Sequence, residues 1–122
     1  MYILTIEETF ASAHQLRGYR GKCENLHGHN WRVVMSVQGE TLNAIGLLVD
    51  FHDLKAALRE VLAELDHRNL NEVPHFAEHN PSSENIARYI YERMAQRLAG
   101  GAAAMESITV WESGTARCTY RP

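Results

Sequence analysis

The sequence predicts an α+β domain: a four-stranded antiparallel sheet covered on one face by two helices, in the order ββααββ. Three observations predict it. Two early segments are rich in β-branched and aromatic residues and carry apolar side chains at every second position. The middle of the chain changes to a helical period after each of two capping signals. The last segment returns to short apolar runs around a "SGTA" turn.

The first strand covers residues 2–13, where Leu4, Ile6 and Phe10 form one apolar row. The second covers residues 30–38, "NWRVVMSVQ", with Trp31, Val33, Met35 and Val37 on one face and Gly39 available for a turn. Asp50 can cap a helix in which Phe51, Leu54, Leu58, Val61, Leu62 and Leu65 keep a helical period, ending near Asp66. A second helix starts at "NPSSEN". There Asn80 or Ser82 can accept from unpaired N–H groups, Pro81 suits the first turn and Glu84 favours the positive end of the helix dipole. That helix stops before Gly100 and Gly101. Ile108, Val110 and residues 117–120 read as two closing strands.

At 122 residues the chain fits one domain, 1–122, with no internal repeat or linker to divide it. Net charge is −3 and no basic run exceeds two residues, so neither a nucleic-acid nor a membrane footprint is expected and the partner should be a small molecule. The first residues lack a basic segment followed by an apolar one. No later stretch approaches the roughly 20 apolar residues of a membrane span, and the expected location is cytoplasmic. Cys23 and Cys118 are expected to remain thiols there.

The densest chemistry lies in "CENLHGH", residues 23–29. In an extended segment His27 and His29 point the same way, and Gly28 lets the backbone pass close by. His14 ends the first strand on the face of Phe10 and Ser12, and an antiparallel pairing of the two strands would set it beside the pair. Three imidazoles suit a catalytic zinc, which binds nitrogen at about 2.0–2.1 Å and keeps a fourth position open. A thiol beside imidazoles and a cation has a lowered pKa, so Cys23 can serve as a base or nucleophile. Asp66 beside His67 is a pair in which a carboxylate can orient an imidazole, and Glu112 closes an apolar strand run. Each has an ordinary explanation by itself: a surface pair, a packed thiol, a solvated helix end, a turn.

Together, "FASAH", "CENLHGH", "LDHRNLN", "PSSENIA" and "WESGTARCTYR" resemble, in this order and over nearly the whole chain, the motifs of the 6-pyruvoyl-tetrahydropterin synthase family, especially its 6-carboxytetrahydropterin synthase branch. The resemblance implies the tunnelling fold, with subunits assembled into a homo-oligomeric barrel, a hexamer, whose sites lie between subunits. It implies a zinc-dependent lyase that converts 7,8-dihydroneopterin triphosphate to 6-carboxy-5,6,7,8-tetrahydropterin, acetaldehyde and triphosphate in queuosine biosynthesis. Zinc would be held by His14, His27 and His29. Cys23 matches the catalytic base, Asp66 and His67 the acid–base pair serving the opposite side of the substrate, and Glu112 the carboxylate anchoring the pterin. Ser82, Ser83 and Glu84 match the helix start near the pterin.

Three residues separate Cys23 from His27, the spacing of the carboxy-forming enzymes, whereas the pyruvoyl-forming animal enzymes resemble Cys-x5-HGH. Glu24, three positions before His27, also matches the Glu-x-x-HGH signature of a branch that makes 6-hydroxymethyl-dihydropterin for folate, and is a candidate second base. A non-catalytic zinc- or pterin-binding protein would keep the histidines but have no use for Cys23 with Asp66 and His67. Arg17, Arg20 and Lys22 are nearby cations with no assigned task.

Overall fold

The computed structural model describes residues 1–22 and 24–122. Two long strands, β1 (Tyr2–His14) and β2 (His27–Gly39), are followed by helix α1 (Phe51–Leu62), a short strand β3 (Arg68–Asn69), two 3-10 turns (Leu70–Glu72 and Pro74–Phe76), helix α2 (Ser83–Leu98), and strands β4 (Ala104–Ser113) and β5 (Ala116–Tyr120). The sheet runs β3-β1-β2-β4-β5, with every pairing antiparallel except β3 on β1.

Alternation along the strands decides which face the helices cover. Ile6 and Phe10 of β1, Trp31, Val33, Met35 and Val37 of β2, and Ile108 and Val110 of β4 are all buried. They pack with Leu54, Leu58 and Val61 of α1 and Ile86, Ile90 and Met94 of α2 in one apolar cluster. Each large side chain taken out of water there contributes roughly 1.5–3 kcal/mol. The other sheet face carries a different staple: the guanidiniums of Arg32 and Arg117 lie 4.8 Å and 4.6 Å from the Trp111 ring, joining β2, β4 and β5.

Among the described residues, five strands replace the expected four. The extra one, β3, has two polar residues and therefore no alternation to read. It forms because the chain leaving α1 is stitched to β1: the Ala11 N–H donates to Asp66 Oδ1 at 2.9 Å, and the His67 N–H donates to the Ala11 carbonyl at 2.6 Å. That stitch also explains why α1 stops at Leu62 rather than near Asp66, while Leu65 stays fully buried in the turns beyond it. Beyond that helix end, Glu64 accepts from the Tyr89 hydroxyl and the Arg93 guanidinium, tying the segment to α2. Burial and the Glu64 carboxylate push the Tyr89 hydroxyl up to about 12.

Both caps fall where the sequence allows. Asp50 accepts from the His52 N–H at 2.8 Å, and Ser82 accepts from the Asn85 N–H at 3.2 Å. Phe51, expected on the apolar stripe of α1, is instead 53 % exposed at its first position. Pro81 precedes the cap rather than entering the first turn of α2. Asn80 does not cap; its amide side chain exchanges two 2.9 Å hydrogen bonds with the backbone of Arg17.

Gly39 is the last residue of β2, and its value is space rather than turning. A Cβ there would meet the Ala102 carbonyl oxygen and Leu48 Cδ1 at 2.5 Å each. Gly39→Ala should therefore cost about 1–3 kcal/mol through overpacking. Urea unfolding followed by far-UV circular dichroism measures it, and an unchanged midpoint would mean that the Leu48 and Ala102 segment yields freely.

Candidate metal centre and acid–base pair

The antiparallel register of β1 and β2 sets His14 opposite His27 and Ser12 opposite His29. All three imidazoles then fall on the helix-covered face, continuing the row of Phe10 and Trp31 toward the strand ends. Trp31 packs edge-on against His14 and His29, with ring centroids 4.9 Å and 5.0 Å apart, and walls the cluster from the core.

Ring orientation is fixed from behind. His14 Nδ1 donates to the Pro81 carbonyl at 2.7 Å and His27 Nδ1 donates to the Asn25 carbonyl at 2.8 Å. A carbonyl can only accept, so each ring carries its proton on Nδ1 and turns the Nε2 lone pair inward. The two Nε2 atoms are 3.0 Å apart. His29 Nε2 is shielded from solvent and makes no hydrogen bond among the described residues. Glu112, at the end of β4, completes the group, with Oε1 3.2 Å from His14 Nε2 and 3.4 Å from His29 Nε2.

Lone pairs this close repel unless positive charge lies among them. Two donors on one tetrahedral zinc-like ion, each at about 2.0–2.1 Å, stand roughly 3.3 Å apart, close to the separations found here. His14, His27, His29 and Glu112 have ligand atoms within 4.8 Å of one another and can hold a metal ion. Burial holds the His29 imidazole below its ordinary range, with His14 and His27 adding to the effect and the carboxylates of Glu112 and Glu24 opposing it. Neutral imidazole is the ligating form, so this shift favours metal binding.

Of the other residues singled out in the sequence, Cys23 lies outside the described residues. Glu24 is half-buried; its Oε1 accepts from the Leu16 N–H at 3.0 Å. Ser82 caps α2 directly after Pro81, whose carbonyl holds His14, so the start of α2 is tied to the metal cluster. Ser83 is half-buried in the first turn, and Glu84 is exposed beside it. Cys118 of β5 is half-buried; burial and the charge of Glu84 push its thiol up, against a nucleophilic role.

Asp66 and His67 form the expected hydrogen bond, His67 Nδ1 donating to Asp66 Oδ1 at 2.8 Å. This leaves His67 Nε2 facing outward on a side chain that is 80 % exposed. His67 adopts a left-handed backbone, φ 56°, a strained conformation for a non-glycine residue. The pair does not join the histidine cluster. His67 lines a shallow depression at the sheet with Ala11, Ser12, Ala13, Gly28, His29 and Asn30, and a second cavity with Glu64 and Tyr89. The carbonyls of Pro81 and Asn25 that aim the ligands were not readable from the sequence, because backbone groups leave no residue-type signal.

The family model described as 6-pyruvoyl tetrahydropterin synthase matches residues 3–122. Over 99% of both chains, the protein is 27% identical to the 6-carboxy-5,6,7,8-tetrahydropterin synthase of Haemophilus influenzae. It is 39% identical to the dihydroneopterin monophosphate aldolase of Pyrococcus furiosus across 73% of this chain and 72% of that one. The structure of Caenorhabditis elegans 6-pyruvoyl tetrahydropterin synthase superposes with a TM-score of 0.84 at 30% identity, covering 100% of this chain and 97% of that one. Fold, clustered histidines and sequence agree over the length of the chain, which belongs to the 6-pyruvoyl tetrahydropterin synthase family.

Proposed function

We propose that the protein is a zinc-dependent lyase that converts 7,8-dihydroneopterin triphosphate, with water, to 6-carboxy-5,6,7,8-tetrahydropterin, acetaldehyde and triphosphate, supplying queuosine biosynthesis. The observation that carries the reading is the convergence of three imidazoles, with the Nδ1 protons of His14 and His27 committed to carbonyls and the buried His29 Nε2 without a hydrogen-bond partner among the described residues. A zinc ion bound there would acidify the hydroxyl groups of the substrate side chain and polarise the carbonyl that develops. The spacing of Cys23 and His27 supports the carboxy-forming branch, as does the relative from Haemophilus influenzae.

His14, His27 and His29 hold the metal. Glu112 turns Oε1 toward them, and its half-exposed carboxylate has Oε2 left to accept an N–H from the pterin, fixing the ring against the reacting side chain. Ser82, Ser83 and Glu84 edge the same end of the site. Cys23 acts as the base on the metal side. Asp66 keeps the His67 proton on Nδ1, so Nε2 is the atom that takes and returns protons.

Because His67 stays outside the metal cluster of its own chain, the pair serves a site completed by another copy of the chain. Two features support such an assembly. Among the described residues, the β1 edge is unpaired beyond the two residues covered by β3, and β5 leaves its outer edge open. Leu42, Ile45, Leu47 and Phe51 are exposed around the loop before α1. A homo-oligomeric barrel, hexameric in the family's manner, uses both.

A second reading has its own support. Glu24 lies near enough to His29 to influence its imidazole, and the relative from Pyrococcus furiosus is named an aldolase. Glu24 would then be a second base, releasing 6-hydroxymethyl-dihydropterin.

His27→Ala should lower bound zinc and turnover together; elemental analysis showing full occupancy in the purified variant would remove His27 from the ligand set. Glu112→Gln should weaken pterin binding by about 1.5–3 kcal/mol, the range for a hydrogen bond to a charged group, and unchanged affinity by calorimetry would end the anchoring role. Mass spectrometry of the products decides the branch. 6-Carboxy-5,6,7,8-tetrahydropterin with acetaldehyde is expected, and 6-pyruvoyl-tetrahydropterin as sole end product would overturn it. 6-Hydroxymethyl-dihydropterin that disappears in Glu24→Gln would establish the second activity.

A further inference from the structure

We infer that the turn between β1 and β2 is a polyphosphate site, in which Arg20 and Lys22 hold the triphosphate tail of the substrate; the identity of that substrate rests on the function proposed above. The turn belongs to the segment that leaves His14 and returns at His27, so it rises from the strand ends that carry the metal ligands. Its base is clamped. The Glu24 N–H donates to the Leu16 carbonyl and the Leu16 N–H to Glu24 Oε1, both at 3.0 Å. The Arg17 guanidinium donates to the Phe76 carbonyl at 2.5 Å, which commits that cation to holding the loop.

The tip is tight and strained. Gly18, Arg20 and Gly21 have φ of 76°, 50° and 82°, and the Gly21 and Lys22 N–H groups donate to the carbonyls of Gly18 and Tyr19 at 3.2 Å and 3.1 Å. Glycine would occupy position 20 without strain, whereas a side chain there costs of order 1 kcal/mol. Arginine at that position needs a compensating use. Its guanidinium rests 5.3 Å from the Tyr19 ring, which limits its motion.

Charge bookkeeping singles out the pair. The chain has 12 lysines and arginines. Arg32, Arg59, Arg88, Arg93, Arg97 and Arg121 face carboxylates. Arg17 is committed as above, Lys55 sits on α1, Arg68 lies on β3 beside His67, and Arg117 stacks on Trp111. Arg20 and Lys22 remain: both are exposed, neither has a carboxylate partner among the described residues, and with Tyr19, Glu24 and Asn25 they line one cavity of about 480 Å³. Glu24, the acid in that cavity, has one oxygen held by the Leu16 N–H and marks its inner limit. A chain of net charge −3 with Glu112 at its metal cluster needs such a cationic rim to admit a highly anionic substrate.

The test titrates zinc-loaded protein with dihydroneopterin triphosphate, unphosphorylated dihydroneopterin and inorganic tripolyphosphate by calorimetry, comparing the parent with Arg20→Gly and Lys22→Met. Each substitution should weaken tripolyphosphate and the triphosphate substrate about 10- to 100-fold, while the preference for the phosphorylated pterin over the unphosphorylated one collapses. Arg20→Gly relieves the left-handed strain, so its melting temperature should not fall, which separates lost binding from lost folding. A parent that prefers the triphosphate substrate, with variants that keep the preference, overturns the site while leaving the proposed function standing. If the parent binds neither pterin, that function falls. Tripolyphosphate then decides the turn alone: binding that the variants lose upholds an anion site, and no binding, or binding that they keep, overturns it.

Discussion

The pairing register of β1 and β2 is the constraint on which the site depends. Thirteen residues of each strand are matched from Tyr2 opposite Gly39 to His14 opposite His27, and a slip of one position would turn one strand's ligands to the other face. The same alternation that buries Phe10, Trp31 and Val33 therefore aims His14, His27 and His29. Core packing supplies the rigidity that convergent lone pairs require, since three imidazoles brought together without a cation repel one another. Trp31 belongs to both systems, packed with Phe10 on one side and edge-on to two of the ligand rings on the other.

This sharing explains which parts were readable from the sequence. Both long strands, both helices and the two caps follow from alternation, helical period and side-chain chemistry, all of which are local. The histidine trio was readable too, because two members share a strand and the third ends the strand most simply paired with it. Glu112 was visible as a carboxylate at a strand end, but its approach to the histidines depends on β4 lying beside β2. The short strand β3 and the early stop of α1 were not readable, since both come from hydrogen bonds of the Ala11 backbone with the Asp66 carboxylate and the His67 N–H, more than fifty positions away. Phe51 misleads for another reason: at the first position of a helix, a residue in phase with the apolar stripe can still lie beyond the edge of the core.

The Asp66–His67 pair shows how a fold can separate groups that the proposed reaction would use together. Asp66 accepts two hydrogen bonds through Oδ1, from the Ala11 N–H and from its own neighbour His67. One carboxylate thus anchors the chain to the sheet edge and sets the tautomer of the imidazole. Removing it would disturb β3 and the histidine at once, so loss of activity in such a variant would not by itself define a chemical role. A subtler change at His67 reports on the proton-exchanging atom while leaving the Asp66 contact with Ala11 in place.

A similar double duty limits Glu24. Its backbone N–H and one carboxylate oxygen both close the loop onto Leu16, so only the remaining oxygen is available for proton transfer. If Glu24 serves a second reaction, it does so from a fixed position near His29, where a bound metal would acidify the protons to be removed. The loop that links the two ligand strands therefore carries structural and chemical demands in the same few residues, and the strain accepted at Arg20 falls in that same segment.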